Sequence, residues 1–245
     1  GMPNFSLLEG EAITLKDNGS YDWGLVGAFY RISYSYKGKY LFETSGRYDG
    51  NSKFPSNQRW GFFPSGSAGW RISEESFLRN AEWLDNLKLR VSVGSAGNGL
   101  ISDTYAYLST MSISQSSLLN NGSVFNYTAA PSPIPDGLTW ETATTYDLGV
   151  DFEAFNGRLN FSADIYRKKT TDMYVVGEEL PAVYGNSAPK GNYADMHTDG
   201  WEASISWRNT HTVGGKPLSY NIKVSVWDNT SKITRYTSKT GTLPT

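Results

Sequence analysis

Hydrophobic and polar residues alternate with a period of two along most of the chain, and they do so in eight separate runs. In 146–154 the even positions are Tyr146, Leu148, Val150, Phe152 and Ala154, while Asp147, Asp151 and Glu153 stand between them. Beyond Asn156-Gly157 the parity inverts, so that Leu159, Phe161, Ala163 and Ile165 oppose Arg158, Asn160, Ser162 and Asp164. Successive side chains of a strand point to opposite faces, so each run predicts a β-strand with one apolar and one polar face. Asn-Gly between two such runs predicts a hairpin closed by a type I′ turn, which needs positive φ at both central residues. The other runs are 26–36, 40–47, 60–72, 87–93, 201–208 and 218–226. The pattern predicts an all-β protein, an antiparallel up-and-down meander of about eight strands.

The connections alternate in length. Short links fall at Lys37-Gly38-Lys39, at 156–157 and around 209–217; a link at 73–86 opens with Ser73-Glu74-Glu75-Ser76 and predicts a capped helical turn. Between them lie long links at about 49–59, 97–142 and 172–199, rich in Asn, Ser, Gly, Pro and Tyr. Short turns at one end and long loops at the other are the asymmetry of an outer-membrane barrel. Tyr36, Tyr40, Trp70, Phe152, Trp207 and Tyr220 all occupy apolar-face positions close to a short link. Aligned across a sheet they would form a belt of the kind that sits at a lipid–water boundary. A soluble β-sandwich binding carbohydrate explains the alternation too, and predicts Tyr146, Val150, Ile205 and Val224 buried under a second sheet.

Composition narrows the function classes. The 245 residues carry 22 basic and 24 acidic side chains, a net charge of −2 that argues against binding nucleic acid by neutralising phosphates. Without cysteine there is no disulfide framework, no thiolate nucleophile and no Cys-based zinc site. His197 and His211 have no metal-ligand spacing, and no metal or cofactor is implied. Gly94-Ser95-Ala96-Gly97-Asn98-Gly99 lacks the Lys-Ser/Thr of a phosphate loop, and Asp49-Gly50-Asn51 lacks the distal Glu of a calcium loop. Asp151 and Glu153 share one strand face as a glycosidase pair could, but nothing beside them would split their pKa values. The chain is therefore not read as an enzyme.

Longer strings carry more information than these short motifs. YSYKGKYLFETSGRYDGNSKF and RWGFFPSGSAGWRISEESF within 34–77, LDNLKLRVSVGSAGN at 84–98, LTWETATTYDLGVDFEAFNGRLNFSADIYRKKTTDMY at 138–174 and DGWEASISWRN at 199–209 resemble one family. It is the SusC/RagA-like TonB-dependent outer-membrane transporters of Gram-negative bacteria. The resemblance implies a barrel of about 22 strands around an N-terminal plug, a SusD-type surface lipoprotein and the TonB complex as partners, and a glycan or peptide as substrate. It implies outer-membrane localisation with apolar faces against lipid. Glu43, Arg47, Asp147, Asp151, Glu153, Asp164 and Glu202 would then face the lumen. Tyr105, Tyr107, Trp140, Tyr184 and Tyr193, in or beside the long loops, are the candidate substrate contacts.

Gly1 ahead of Met2 reads as a residue left by cleavage of a fusion, and 2–245 as one barrel segment. No signal peptide, TonB box, plug or terminal aromatic is recognised in it. The expectation is a piece of a transporter that does not transport alone and that self-associates through its open edges and lipid-facing surface.

Overall fold

The computed structural model describes residues 22–99, 137–178 and 188–237, and between and before them 5–6, 16–17, 106–109, 111, 113–120, 123–128, 131, 133–135, 180 and 183. Two two-residue strands, β1 (Phe5–Ser6) and β2 (Lys16–Asp17), pair with each other. The main sheet follows: β3 (Leu25–Tyr36), β4 (Tyr40–Asn51), β5 (Trp60–Arg71) and β6 (Leu84–Asn98), then β9 (Glu141–Ala154), β10 (Leu159–Val176), β11 (Lys190–Val213) and β12 (Lys216–Tyr236). A separate hairpin, β7 (Ile113–Asn120) with β8 (Ser123–Thr128), occupies the connection between β6 and β9. The eight long strands lie in chain order, all antiparallel, with β3 and β12 at the two ends of the sheet.

The eight predicted strands are all present, and their parity is kept across the sheet. Glu43 stands opposite Ser67, Ser67 opposite Ser92, Ser92 opposite Asp147 and Asp147 opposite Tyr166. On the other face the row Phe42, Ala68, Val91, Leu148, Ile165 and Trp201 is apolar until it reaches Asp228 on β12. A row perpendicular to the strands thus begins inside the apolar band and leaves it at the far strand. The band runs oblique to the hydrogen-bond rows, as it must where strands are tilted to the axis of a barrel wall.

Two girdles of aromatic side chains frame that band. At the short-turn end, Tyr36 stacks on Tyr40 (6.4 Å), Trp83 meets Phe152 and Phe155 (6.2 and 6.5 Å), and Phe155 meets Trp207 (6.4 Å). Tyr220 continues the line against His211 (5.9 Å). At the long-loop end Tyr48 stacks on Trp60 (5.1 Å), with Tyr146 and Trp201 further along the sheet. The band between them is exposed, Val26, Ile32, Val91 and Ile222 all at half or more. No second sheet covers it among the described residues, so the sandwich alternative does not describe this fold.

The connections differ from expectation in four places. The β9–β10 hairpin is closed by four residues, 155–158, with Phe155 as well as Asn156 and Gly157 at positive φ. Its fit between Trp83 and Trp207 offsets the cost of holding a bulky residue there. The link expected at 209–217 shrinks to Gly214-Gly215, both at positive φ, because β11 and β12 extend through Val213 and from Lys216. The link expected at 172–199 shrinks to 177–189. Strand continues there through 173–176 and 190–199, where apolar and polar residues do not alternate with a period of two and the pattern carries no signal. Finally, the turn after β5 is a 3-10 helix, Ile72–Glu74, and Ser73 lies buried inside it without capping it.

Candidate functional site in the polar face and its long-loop end

All seven predicted polar residues fall on the face opposite the apolar band, and two of them, Asp151 and Asp164, belong to one ion network. Arg90 on β6 donates to both oxygens of Asp151 on β9 (2.7 and 3.1 Å) and to Asp164 on β10 (2.9 Å). The strand between makes this possible: Arg90 and Asp164 are both register partners of Gly149. A Cβ at Gly149 would strike the Asp164 carboxylate and approach the Arg90 guanidinium to 2.7 Å. A glycine in mid-strand, otherwise unfavourable, leaves the space through which a bridge spans three strands.

Glu202 is the register partner of Asp164, so the acidic side of the network continues onto β11. Glu153 lies 3.9 Å from Arg208 at the short-turn end. On β3 and β4, Glu43 accepts from Arg31 (2.8 Å) and Ser33 (3.0 Å), and Arg47 grips Asp49 (2.6 and 2.9 Å). The wall therefore carries mostly paired charges of both signs. Arg90 was not among the predicted site residues, although its polar-face position in 87–93 was the available signal.

Towards the long loops the same face opens into a recess of about 820 Å³. Trp23 and Phe29 present exposed rings to it (58% and 82%), and Arg31, Arg47, Asp49 and Asn51 supply polar groups. The Lys53 ammonium stands 5.0 Å from the Trp23 ring centre. One side is a small apolar cluster of Phe54, Phe63, Leu138 and Trp140. Its loops are stitched by Leu138 N–H to Gln58 (2.8 Å), Thr139 N–H to Asn192 (2.9 Å) and Trp140 Nε1 to the Arg59 carbonyl (3.0 Å).

The predicted aromatic contacts separate here. Trp140 is buried, its ring against Phe54 (5.1 Å) and Phe63 (5.4 Å). Tyr193 is half-buried over Gly177 and Gly191, where added Cβ atoms would come within 2.7 Å of its ring. Tyr107 is half-buried in a turn, while Tyr105 and Tyr184 lie outside the described residues. Trp23 and Phe29 were missed, because Trp23 precedes the alternating run and Phe29 sits on the polar parity of its strand.

A sheet with an apolar band between aromatic girdles on one face and paired charges on the other defines a transmembrane β-barrel wall. Residues 7–244 match the family described as TonB dependent receptor-like, beta-barrel, and the chain belongs to that family. It is 36% identical over 206 residues to TonB-dependent receptor P3 of Formosa agariphila, covering 82% of this chain and 20% of that protein. To TonB-dependent receptor SusC of Bacteroides thetaiotaomicron it is 33% identical over 220 residues, covering 87% of this chain and 21% of that protein. A solved structure of the RagAB peptide transporter shares the fold, with a TM-score of 0.72 at 23% identity over 94% of this chain and 24% of that one. The chain spans about a fifth of the length of these curated relatives. They are receptors, not enzymes, and the family's place is the outer membrane.

Proposed function

We propose that the chain forms part of the wall of an outer-membrane importer of oligosaccharides or peptides, with 2–245 acting as one barrel segment. The observation that carries this reading is the division of one sheet into a lipid-type face and a charged, hydrogen-bonding face with an aromatic-lined recess at its mouth. Paired charges such as Arg90–Asp151 and Arg47–Asp49 keep a wide passage wet without a large net field. Exposed rings beside amides and guanidinium groups suit a ligand that is polar at its edges and apolar on its ring or side-chain faces.

On this reading Trp23 and Phe29 make the first contacts, and Tyr107 in its turn and Tyr193 near the start of β11 guide ligand towards them. A plug, a SusD-type surface lipoprotein and the TonB complex complete the machine, and the eight strands alone do not transport. The test is uptake by cells whose full-length transporter carries Trp23→Ala with Phe29→Ala. Uptake should fall roughly tenfold, the scale of two lost aromatic contacts, at unchanged surface abundance. Undiminished uptake of every oligosaccharide or peptide the parent carries would remove the recess from the reading.

A further inference from the structure

The outward face changes character abruptly near the long-loop end of β10, β11 and β12. Up to Ile165 and Trp201 it is the apolar band; immediately beyond stand Arg167, Lys169, His197 and Lys232. Lys169 is the register partner of His197, and His197 of Lys232. Three basic side chains therefore stand abreast on adjacent strands, across about 10 Å. Asp199, an outward carboxylate beside the row, accepts two hydrogen bonds from Arg167 (2.5 and 2.7 Å), and its Oδ2 lies 3.8 Å from His197 Nε2. Among the described residues, neither Lys169 nor Lys232 has a carboxylate within ion-pair distance.

The row also sits at the right height. Tyr146 of the upper girdle is the register partner of Arg167, and the Lys169 ammonium lies 5.8 Å from its ring centre. Lys169 is thus two residues beyond the girdle, about 7 Å along a tilted strand, where headgroups replace hydrocarbon. Below it the apolar surface is not flat. A shallow, open groove of about 720 Å³ runs past Val91, Leu148 and Ile165 up to Arg167 and Asp199, just below the basic row, and the small residues Gly66 and Ala68 on β5 leave it open.

We propose that this row and groove bind one phosphorylated lipid of the outer leaflet. Its phosphate would be held by Lys169, His197 and Lys232, and an acyl chain would lie in the groove. Charge complementarity selects the headgroup, since clustered lysines at a bilayer boundary attract anionic lipid. Continuity of the groove with the lipid-facing band selects a lipid over a soluble anion or an acidic protein surface, neither of which would use it.

The test takes the full transporter carrying this chain, purified in detergent, and follows bound lipid by native mass spectrometry. The probes are monophosphorylated lipid A, phosphatidylcholine and inorganic phosphate. Lipid A should bind and survive addition of inorganic phosphate, and phosphatidylcholine should bind much more weakly. Lys169→Gln with Lys232→Gln should weaken lipid A at least tenfold, about 1.4 kcal/mol. Lys168→Gln, one residue away on the opposite face, should leave it unchanged. Ala68→Phe, which fills the groove and keeps every charge, is an independent second variant and should weaken it as well. Equal binding by the parent and the double lysine variant would overturn the proposal. So would equal loss in Lys168→Gln, displacement by inorganic phosphate, or phosphatidylcholine bound as tightly as lipid A.

Discussion

Gly149 and Arg90 show how single residues decide the character of the polar face. Any side chain at 149 occupies the path from Arg90 to Asp164. Gly149→Ala should displace that bridge and lower stability by about 1 kcal/mol, since both displaced groups are flexible ends that can swing towards water. Arg90→Leu should cost somewhat more, about 1–2 kcal/mol, because Asp151 and Asp164 then face each other without their cation. Thermal unfolding in detergent measures both, and equal stability of all three proteins would show the network to be energetically idle. Glu75, in the turn after β5 and outside the membrane-crossing strands, gives a pH dependence. Its carboxylate accepts from the Tyr40 hydroxyl (2.8 Å), Lys39 (3.0 Å) and the Trp70 indole (3.2 Å), which hold its pKa below the ordinary carboxylate range. A depressed carboxyl pKa stabilises the folded form above the unfolded value, and that contribution is lost as pH falls through the folded value. Acidification below the ordinary carboxylate range should therefore release the Trp70 end of the girdle, seen as a change in tryptophan emission that Glu75→Gln no longer shows.

At the scale of elements, strand parity sets what each position tolerates. Val91 and Ser92 are neighbours on β6, one in the apolar band and one on the polar face. Val91→Arg should cost roughly 2–4 kcal/mol of folding free energy in a bilayer, the range for a cation on the lipid side near the midplane. Ser92→Arg should cost little, since its face already carries Arg90 and Asp147 and is open to water. Equilibrium folding into lipid vesicles compares the two, and a reversed order would reverse the assignment of the faces. The sequence made this much legible because alternation survives wherever one face meets lipid and the other water, as in 146–154 and 218–226. It gave no warning that β11 begins at Lys190 or that β7 and β8 pair within the long connection. In both places apolar and polar residues do not alternate regularly along the sequence, and period-two contrast disappears.

At the scale of the whole molecule, among the described residues the sheet has two unpaired edge strands and one face of exposed aliphatic and aromatic residues. Each is a drive to association in water. The isolated chain should be multimeric in plain buffer and become a single β-rich species only in detergent, as light scattering after size exclusion would show. A 27 kDa monomer without detergent would mean that the apolar band is covered by the chain itself.

The centres of the eight long strands, the two faces, the short-turn girdle and the membership of an outer-membrane barrel family were determined by the sequence itself. All of these follow from local periodicity or from strings long enough to be specific. Tertiary structure decided what depends on register between strands far apart in the chain. It placed Arg90 and Asp164 on either side of Gly149, turned Trp140 into packing for a buried cluster, and gathered Trp23, Phe29 and Arg47 around one recess. It also set Lys169, His197 and Lys232 abreast. The period of two names the face on which a side chain lies, whereas only pairing along the full length of neighbouring strands fixes which side chains on that face meet.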